Sequence, residues 1–354
     1  MEENMIREDH GNLLRAEVDA LVNTVNTVGV MGKGIALQFK RAYPEMFRAY
    51  ERAAKSGELQ LGEMFVWETG VLDGPRLVIN FPTKGHWRSP SRIADIENGL
   101  RDLVDVIERY QVRSIAVPPL GCGHGGLNWD EVAPLIWRAL GPISDTVDVL
   151  VYPPDGAPPA ADMIDRTPRP RMSSARAAVV KLLRAYENSS LRGTTPIEVQ
   201  KLAYFLQLAG ENLRLDFTKG AYGPYADSLR KTLREIEGHF ITGFGDGSAK
   251  VLEAEPLYVI EQAADQADAI LADDSTTAER VDRVIALTEG FTSMYGLELL
   301  ATAHWAATHC DPPTQAEITR VVQSWNERKS RIFTPEHIGA ALAQLDEQGW
   351  LSVS

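Results

Sequence analysis

The chain has 354 residues and a formal net charge of −13, because 49 Asp and Glu residues outnumber 36 Lys and Arg residues. Its length is about twice that of a typical domain, so we expect two domains. So negative a chain cannot bind a nucleic acid backbone by general charge attraction, and any contact with DNA must therefore be local.

Cysteine usage and hydropathy indicate a protein of a reducing compartment. Cys122 and Cys310 are too few for a disulfide framework and lack the spacing of zinc ligands, so we expect no metal. The amino terminus has no apolar signal core, and no stretch approaches the roughly 18 apolar residues of a membrane span. We predict a soluble cytoplasmic protein without a membrane partner.

The first part of the chain alternates strand-like and helical patterns. The strand-like runs are 18–23, 62–68, 76–81, 114–120 and 147–152. The clearest helix is predicted to have Ser89 as its cap and Pro90 at its first position. This alternation predicts an α/β domain, with a mixed sheet between helices and its ligands outside the carboxyl ends of the strands.

A Pro-rich stretch over 156–172 shows no apolar period and is predicted to be an extended linker. The first domain then spans 1–155, and the second, mainly α-helical domain spans 173–354. Its predicted helices are 173–188, 196–209, 225–238, 258–272, 277–289, 296–308, 314–328 and 335–348. The final GWLSVS resembles a short strand, which leaves a winged-helix element open.

The loop GVMGKGIA, at 29–36, joins a predicted strand to a predicted helix. It is not a P-loop, because only two residues separate Gly29 from Gly32 and because Gly34 stands where Ser or Thr would hold magnesium. A helix amino terminus still offers N–H groups and a positive dipole to an anion, and a diphosphate fits without metal. A purely structural turn is the alternative. The residues expected to face the diphosphate are Gly34, Ile35, Ala36, Leu37 and Gln38.

A second glycine-rich loop, PPLGCGHGGLNW at 118–129, also leaves a strand and enters a helix. Two such loops at neighbouring strand ends can close on both sides of one pyrophosphate, because glycines let the backbone approach it. The residues expected on this side are Gly121, Cys122, Gly123, His124 and Gly125.

In this order and spacing, GNLLRAEVDALVNTVN, GVMGKGIA and PPLGCGHGGLNW resemble the macrodomain, the module that binds ADP-ribose. The resemblance implies that Asn12 replaces the usual Asp at the adenine amine, and an amide can also pair with the adenine edge. It implies that Asn26 bonds the distal ribose, although Asn26 could also be only a turn residue. The other residues implied to line the site are Leu13, Thr24 and Val25.

The stretch NFPTKGHWRSPS resembles the hydrolytic branch of macrodomains that includes the DNA ADP-ribosyl glycohydrolase antitoxins (DarG), in which the lysine is catalytic. This implies a catalytic Lys84, with Thr83 beside it. No motif supplies the two carboxylates of ordinary glycosidases. An amine whose pKa is lowered by a sheltered pocket and by Lys33 can attack the anomeric carbon, and water can then resolve the intermediate.

Related protein-specific hydrolases add an Asp in the second glycine loop, where this chain has Gly125. His124 is then the nearest candidate for proton transfer, or it only faces the phosphate loop. A local DNA rim is expected beside the site, with Trp87 able to stack on an unpaired base. The residues of that rim are Lys33, Lys84, His86, Trp87, Arg88 and Arg92.

The second domain resembles the carboxyl-terminal part of the same antitoxins, through IEVQKLAYFLQLAGENLRLDF, YGPYADSLRKTL and EGHFITGFGDG. This implies capture of a toxin that attaches ADP-ribose to thymidine in single-stranded DNA. Four aromatics, Tyr222, Tyr225, Phe240 and Phe244, either form a recognition surface or fill a core.

The stretch from Val251 to Glu279 is acidic and contains no Lys or Arg. Such a run is typical of a solvated helix face, but it could also compete with DNA for the toxin as a phosphate mimic. Its acids are Glu253, Glu255, Glu261, Asp265, Asp268, Asp273, Asp274 and Glu279.

Three functions fit these features. The leading hypothesis is an antitoxin whose macrodomain removes ADP-ribose from thymidine in DNA without a cofactor, ADP-ribose being ligand and product. The alternative is a non-catalytic ADP-ribose reader fused to an interaction domain, which would need no amine at the anomeric carbon. A third possibility keeps the fold and acts on O-acetyl-ADP-ribose or on modified protein side chains.

Overall fold

The computed structural model describes residues 6–71, 73–190, 193–249 and 252–351. The chain divides into two compact units. The first unit comprises Met1–Pro168 and a later segment, Asp246–Ser248, and the second comprises Arg169–Gly245 and Ala249–Ser354. Whether 1–155 and 173–354 fold as separate domains stays a prediction.

In the described part of the first unit, a six-stranded sheet is accompanied by four α-helices. The strands are β1 (Ile6–Glu8), β2 (Ala20–Asn26), β3 (Phe65–Glu68), β4 (Leu77–Lys84), β5 (Ser114–Val117) and β6 (Asp148–Val151). The helices are α1 (Gly34–Ala42), α2 (Pro44–Ser56), α3 (Ile93–Arg109) and α4 (Trp129–Leu140). The strand order is β1-β6-β5-β2-β4-β3, and only β3 is antiparallel to its neighbour. The predicted mixed α/β sheet is confirmed.

Helices cover both faces of this sheet. Alternate residues of each strand point to opposite faces, so each strand contributes to two cores. Val22 and Ile79 pack in a core formed with α3 and α4. Leu21 and Val78 pack in a second core formed with α1 and α2. Burial on both faces explains why the parallel strands are almost continuously apolar.

The start of α3 differs from the prediction. Arg92, in an extended conformation, precedes the helix, so Ser89 is not the cap and Pro90 is not the first helical residue. The backbone N–H of Ser91 donates to the carbonyl of Gly125 at 2.9 Å. This tie to a distant loop holds the residues before α3 outside the helix.

The segment predicted as a linker packs on the first unit as far as Pro168. The Asn12 side chain donates to the carbonyl of Asp162 at 2.8 Å, and the Arg166 N–H donates to the carbonyl of Arg41 at 2.9 Å. The stretch also contains a short 3-10 helix, Ala160–Asp162, and its proline content carried no information about these anchoring contacts.

The second unit is mainly helical, as predicted. Its helices are α5 (Ser174–Ser189), α6 (Pro196–Leu208), α7 (Asp227–Ile236), α8 (Glu261–Ala272), α9 (Ser275–Thr288), α10 (Met294–His309), α11 (Gln315–Gln323), α12 (Glu327–Ile332) and α13 (Pro335–Glu347). Two short antiparallel pairs consist of β7 (Thr218–Gly220) with β8 (Gly223–Tyr225) and of β9 (Ile241–Thr242) with β10 (Tyr258–Val259). Helix α10 packs against α6, α11 and α13, and α5 packs against α8 and α9.

Local capping signals located some helices well and others less so. Thr195 and Glu198 form a capping box at α6, and Thr334 caps α13, close to the predicted starts of both. The helix predicted over 258–272 begins later because its first residues pair with β9. The helix predicted over 314–328 is two helices, the second capped by Asn326.

The carboxyl-terminal tail is only partly described. Residues 352–354 of the strand-like GWLSVS lie outside the described residues, as does Val251 at the start of the acidic stretch. The winged-helix interpretation stays a prediction.

Candidate active site

The carboxyl ends of three neighbouring strands, β5, β2 and β4, bring together Asn26, Lys84 and the loop that contains His124. Strand β2 ends at Asn26 and β4 ends at Lys84, and these two residues are partners in the parallel register. A bulge between Val25 and Asn26 produces this pairing. The loop after β5 contributes His124, whose backbone carbonyl accepts a hydrogen bond from the Lys84 amino group at 2.9 Å.

Lys84 is half-buried, and burial lowers the pKa of its amine. The neutral, nucleophilic amine is therefore available at lower pH than in a solvated lysine. Lys33 was predicted to lower the pKa of Lys84, but its charge acts on His124 instead. Burial first, and then the charges of Lys33 and Lys84, lower the pKa of the His124 imidazole. His124 is thereby held toward its neutral form, which can accept a proton.

The first glycine loop leads into α1, which begins at Gly34 after Lys33 in an extended conformation. The N–H groups of Gly34, Ile35 and Ala36 have no partner within the helix and lie at its positive end. Leu37 and Gln38 were also predicted to be N–H donors. The start of the helix places both of these N–H groups in the helical ladder, which corrects that assignment.

The second glycine loop presents a run of three amides. The loop closes on itself through N–H bonds from Cys122 to Pro119 and from Leu127 to Gly121. Across the described ranges of the chain, no hydrogen-bond acceptor pairs with the N–H groups at positions 123, 124 and 125. Successive backbone amides of this kind form an anion-binding concavity. A Cβ atom at Gly123 would meet nothing within 4 Å, so the space in front of this residue is open.

Gly125 lies where the backbone is too crowded for any side chain. A Cβ atom there would come within 2.3 Å of the Gly121 carbonyl oxygen and within 2.3 Å of Ser91 Oγ. Ser91 is 5% exposed, and its Oγ has no hydrogen-bond partner among the described residues. Sequence reasoning missed Ser91, because a serine before a helix resembles an ordinary cap. Packing thus excludes the Asp that the resemblance places here in related hydrolases.

The Asn26 side chain holds its own loop. Its Oδ1 accepts from the N–H groups of Val28 at 3.1 Å and Val30 at 3.2 Å, and its Nδ2 donates to the Val30 carbonyl at 2.6 Å. The hydroxyl of buried Tyr50, which sequence reasoning missed, donates to the Asn26 carbonyl. Asn26 therefore positions the first loop, and its contact with a ribose stays a prediction.

Two of the other predicted ligand residues, Asn12 and Thr83, also bond to the backbone. Asn12 accepts from the Leu14 N–H at 3.0 Å, and the hydroxyl of Thr83 lies 3.3 Å from the Val25 carbonyl. Leu13, Val25 and Thr83 are buried, whereas Thr24 and Cys122 are half-buried. Burial raises the pKa of the Cys122 thiol to about 11, so this thiol is neutral. Their contacts with ADP-ribose stay predictions.

A cationic and aromatic rim follows β4. Trp87 is 44% exposed and stacks on His86 with ring centroids 5.4 Å apart. The Arg88 guanidinium lies 4.4 Å from the centroid of the Trp87 ring. Such a group can stack on a base and attract a phosphate, and its contact with DNA stays a prediction.

Comparisons with known proteins decide the family. The sequence matches the Macro domain family over residues 22–136. A Mycobacterium tuberculosis protein named DNA ADP-ribosyl glycohydrolase is 45% identical over 352 residues, which cover 96% of this chain and 99% of that protein. The chain belongs to the DNA ADP-ribosyl glycohydrolase family. The predicted family is confirmed, and so is the prediction that the protein is an ADP-ribosyl glycohydrolase.

Two further similarities concern parts of the glycohydrolase chain. A Thermosipho africanus protein named DNA ADP-ribosyl transferase-DNA ADP-ribosyl glycohydrolase fusion protein is 36% identical over 159 residues, which cover 41% of this chain and 40% of the fusion. The solved macrodomain of Mycobacterium tuberculosis DarG is 58% identical, with a TM-score of 0.42. It covers 43% of this chain and 99% of that structure's chain.

Metal-binding groups and membrane-spanning helices are both absent from the described residues of the glycohydrolase. Three or more His, Cys, Asp or Glu side chains are nowhere grouped so that they could hold a metal ion in the described ranges. The described helices also include none with the length and apolar character that crossing a membrane requires.

Proposed function

We propose that this chain removes ADP-ribose from thymidine bases in single-stranded DNA, with Lys84 as the nucleophile. The observation that carries the proposal is the Lys84 amine, which has a lowered pKa and lies at the sheet edge from which both glycine loops emerge. The names of the near full-length relatives support the substrate class.

The backbone is proposed to bind the diphosphate. The N–H groups of 34–36 at the positive end of α1 and those of 123–125 in the second loop can each donate to phosphate oxygens. ADP-ribose then serves as ligand and product, and no cofactor is required. The ribose that carries the base is placed toward Asn26 and Lys84, which are register partners at the end of the sheet.

The proposed chemistry has two steps. The neutral Lys84 amine attacks the anomeric carbon, the bond from that carbon to the thymine nitrogen breaks, and the nitrogen keeps the electron pair and takes the proton that the attacking amine gives up. Water then attacks the same carbon and gives a proton to the lysine nitrogen, which leaves as the neutral amine. The products are ADP-ribose and unmodified thymidine in DNA, and one water is consumed. Neutral His124 is the candidate to move the proton.

A non-catalytic reader of ADP-ribose is the second candidate. A reader needs the two amide-rich loops but has no use for a half-buried amine beside the ribose. Trp87 and Arg88 favour DNA over a protein side chain as the substrate, because they offer a stacking surface and a charge for a phosphate.

The second unit is proposed to bind the partner toxin, a DNA ADP-ribosyltransferase, so that the chain acts as an antitoxin. The Thermosipho africanus fusion supports this pairing, because its name joins a transferase with a glycohydrolase.

Burial and ion pairing limit which aromatic and acidic side chains of the second unit are available to a toxin. Phe240 and Phe244 are buried, so of the four aromatics only Tyr222 and Tyr225 reach the surface. Two acids of the acidic stretch are paired with bases on α5, as Glu261 lies 2.7 Å from Arg184 and Asp268 lies 2.7 Å from Lys181. Asp274 caps α9. A phosphate mimic would therefore depend on the remaining acids.

A release assay tests the hydrolase. The full chain is incubated with a single-stranded oligonucleotide carrying ADP-ribose on thymidine and, separately, with an ADP-ribosylated protein. Release of ADP-ribose from the oligonucleotide alone is the expected result. Release from neither substrate, with ADP-ribose still bound, would favour the reader.

A second experiment separates toxin binding from hydrolysis. Lys84→Ala, which is expected to lack hydrolysis, should still form a complex with the toxin and block its transferase activity in vitro. A variant that loses both hydrolysis and inhibition would contradict a separate toxin-binding function.

A further inference from the structure

A short segment far along the chain belongs to the first unit. Asp246–Ser248 is grouped with residues 1–168, although it follows them by almost 80 positions. Within this unit, Asp246 is 3% exposed and Gln38 is 5% exposed. The Gln38 Nε2 donates to the Asp246 Oδ2 at 2.7 Å. The other carboxylate oxygen accepts from the Ser248 N–H at 2.9 Å.

This carboxylate is bound to the helix whose amino-terminal amides are proposed to bind the diphosphate. Gln38 follows Gly34 by four residues, so both lie on the same face of α1, and helical side chains point toward the helix amino terminus. The Asp246 charge also acts on the second loop, because it raises the pKa of His124 against the larger opposing effects of burial, Lys33 and Lys84. The charge of Asp246 therefore contributes to the electrostatic potential at both glycine loops.

We propose that Asp246 sets the affinity of the site for ADP-ribose, as a fixed internal anion that opposes the diphosphate. This inference rests on the proposed function, since it assumes that the two loops bind ADP-ribose. Like charges held near one another in a partly buried site repel more strongly than they do in water. The carboxylate also uses part of the positive potential at the start of α1 that would otherwise act on the ligand.

The consequence for turnover concerns the product. Free ADP-ribose carries the same diphosphate as the substrate but lacks the DNA. The substrate can regain affinity through contacts of its DNA, such as stacking on Trp87, whereas the product has no DNA to make these contacts. A fixed anion near the diphosphate thus weakens substrate and product by the same factor, but the substrate keeps the affinity that its DNA contacts add, whereas the product is released more easily.

The test is calorimetric titration of ADP-ribose into the full chain and into Asp246→Asn. Asparagine keeps the shape and an acceptor oxygen for Gln38 while it removes the charge. We expect Asp246→Asn to bind ADP-ribose about 3- to 30-fold more tightly at low salt. The gain should shrink as salt increases, because screening weakens the repulsion. Asp246→Ala, which also removes the charge, should bind more tightly too.

Asp145→Asn provides the control, because Asp145 is an exposed carboxylate of the same unit and should leave the affinity unchanged. Unchanged or weaker binding in both Asp246 variants would overturn the inference, and weaker binding would show that Asp246 helps to hold the ligand. If the parent chain binds ADP-ribose and releases it from DNA, such a result leaves the proposed function intact. If the parent binds no ADP-ribose, the proposed function fails, and this inference fails with it.

Discussion

The two units bury lysines in different surroundings. In the first, Lys84 is half-buried at the end of a strand and donates to one backbone carbonyl. In the second, Lys201 is 1% exposed and donates to the Pro224 carbonyl at 2.7 Å. Burial first, and then the charge of Lys329, lower the pKa of Lys201 to about 7. This pKa would suit a nucleophile, yet no substrate reaches a side chain so deeply enclosed.

The charges around Lys201 serve packing rather than chemistry. Lys329 is fully buried and donates to Glu298, which also accepts two bonds from Arg328, at 2.7 and 2.9 Å. These contacts join α10 to α12. Removing one member of such a group leaves a buried charge without its partner, which is strongly destabilising. The comparison teaches that a shifted pKa indicates a reactive group only where the group is also accessible.

The largest effect is expected from replacing Lys84, the accessible lysine of the first unit. Lys84→Ala should lower the turnover of ADP-ribosylated DNA by about 10²- to 10⁴-fold, because the amine acts on the breaking bond. ADP-ribose affinity should stay within a few-fold, since the diphosphate is proposed to bind to backbone amides and not to Lys84. Release assays and calorimetry measure the two quantities. Lys55→Ala, whose side chain is 73% exposed, is the control. Turnover at the parent rate would exclude the catalytic role.

The backbone amides of the first unit are tested by a glycine substitution. Gly123→Val should weaken ADP-ribose binding at least about tenfold, because the side chain would fill the open space where the ligand approaches. Gly34→Val should weaken it as well, but the φ of 60° adds backbone strain to that variant. Gly141→Val, with open space and a φ of −54°, is the control. Parent affinity in Gly123→Val would place the diphosphate elsewhere.

The buried lysine of the second unit should appear in the pH dependence of stability. The pKa of Lys201 is about 7 in the fold and near 10.4 when unfolded. Between these values the unfolded chain binds more protons, so the Lys201 contribution to stability rises with pH, by up to about 1.4 kcal/mol per unit. The difference in unfolding free energy between the parent and Lys201→Met should therefore change in favour of the parent from pH 7 to pH 9. A constant difference in urea unfolding would contradict the low pKa.

The smallest effect is expected from the surface acids of the second unit. Neutralising four exposed acids should slow association with the toxin a few-fold at low salt and leave dissociation almost unchanged. These acids are Glu255, Asp265, Asp273 and Glu279. The control is the same change in charge at exposed acids of the first unit, at Glu8, Glu17, Glu45 and Glu63. Equal slowing in both sets, measured by stopped flow, would remove the mimicry hypothesis.

Local signals predicted the parts of the fold that local physics determines. The glycine loops, the start of α13 and the strand predicted over 76–81 follow from turn chemistry, capping and apolar patterning, although this strand extends to Lys84. The role of Ser91 and the carboxylate of Asp246 could not be predicted in this way. Lys84 donates to the carbonyl of a residue 40 positions away, and Gln38 donates to the side-chain carboxylate of a residue 208 positions away. No local pattern encodes such pairings, which depend on how distant elements pack.

The pairing of Asn26 with Lys84 makes the site intolerant of changes in strand length. Neighbouring strands lie about 4.8 Å apart, and the hydrogen-bonded ladder fixes which residues face each other. Removing one residue within β4 would turn the Lys84 side chain to the opposite face of the sheet. An insertion or deletion inside this strand would therefore displace the amine without changing any residue of the two glycine loops.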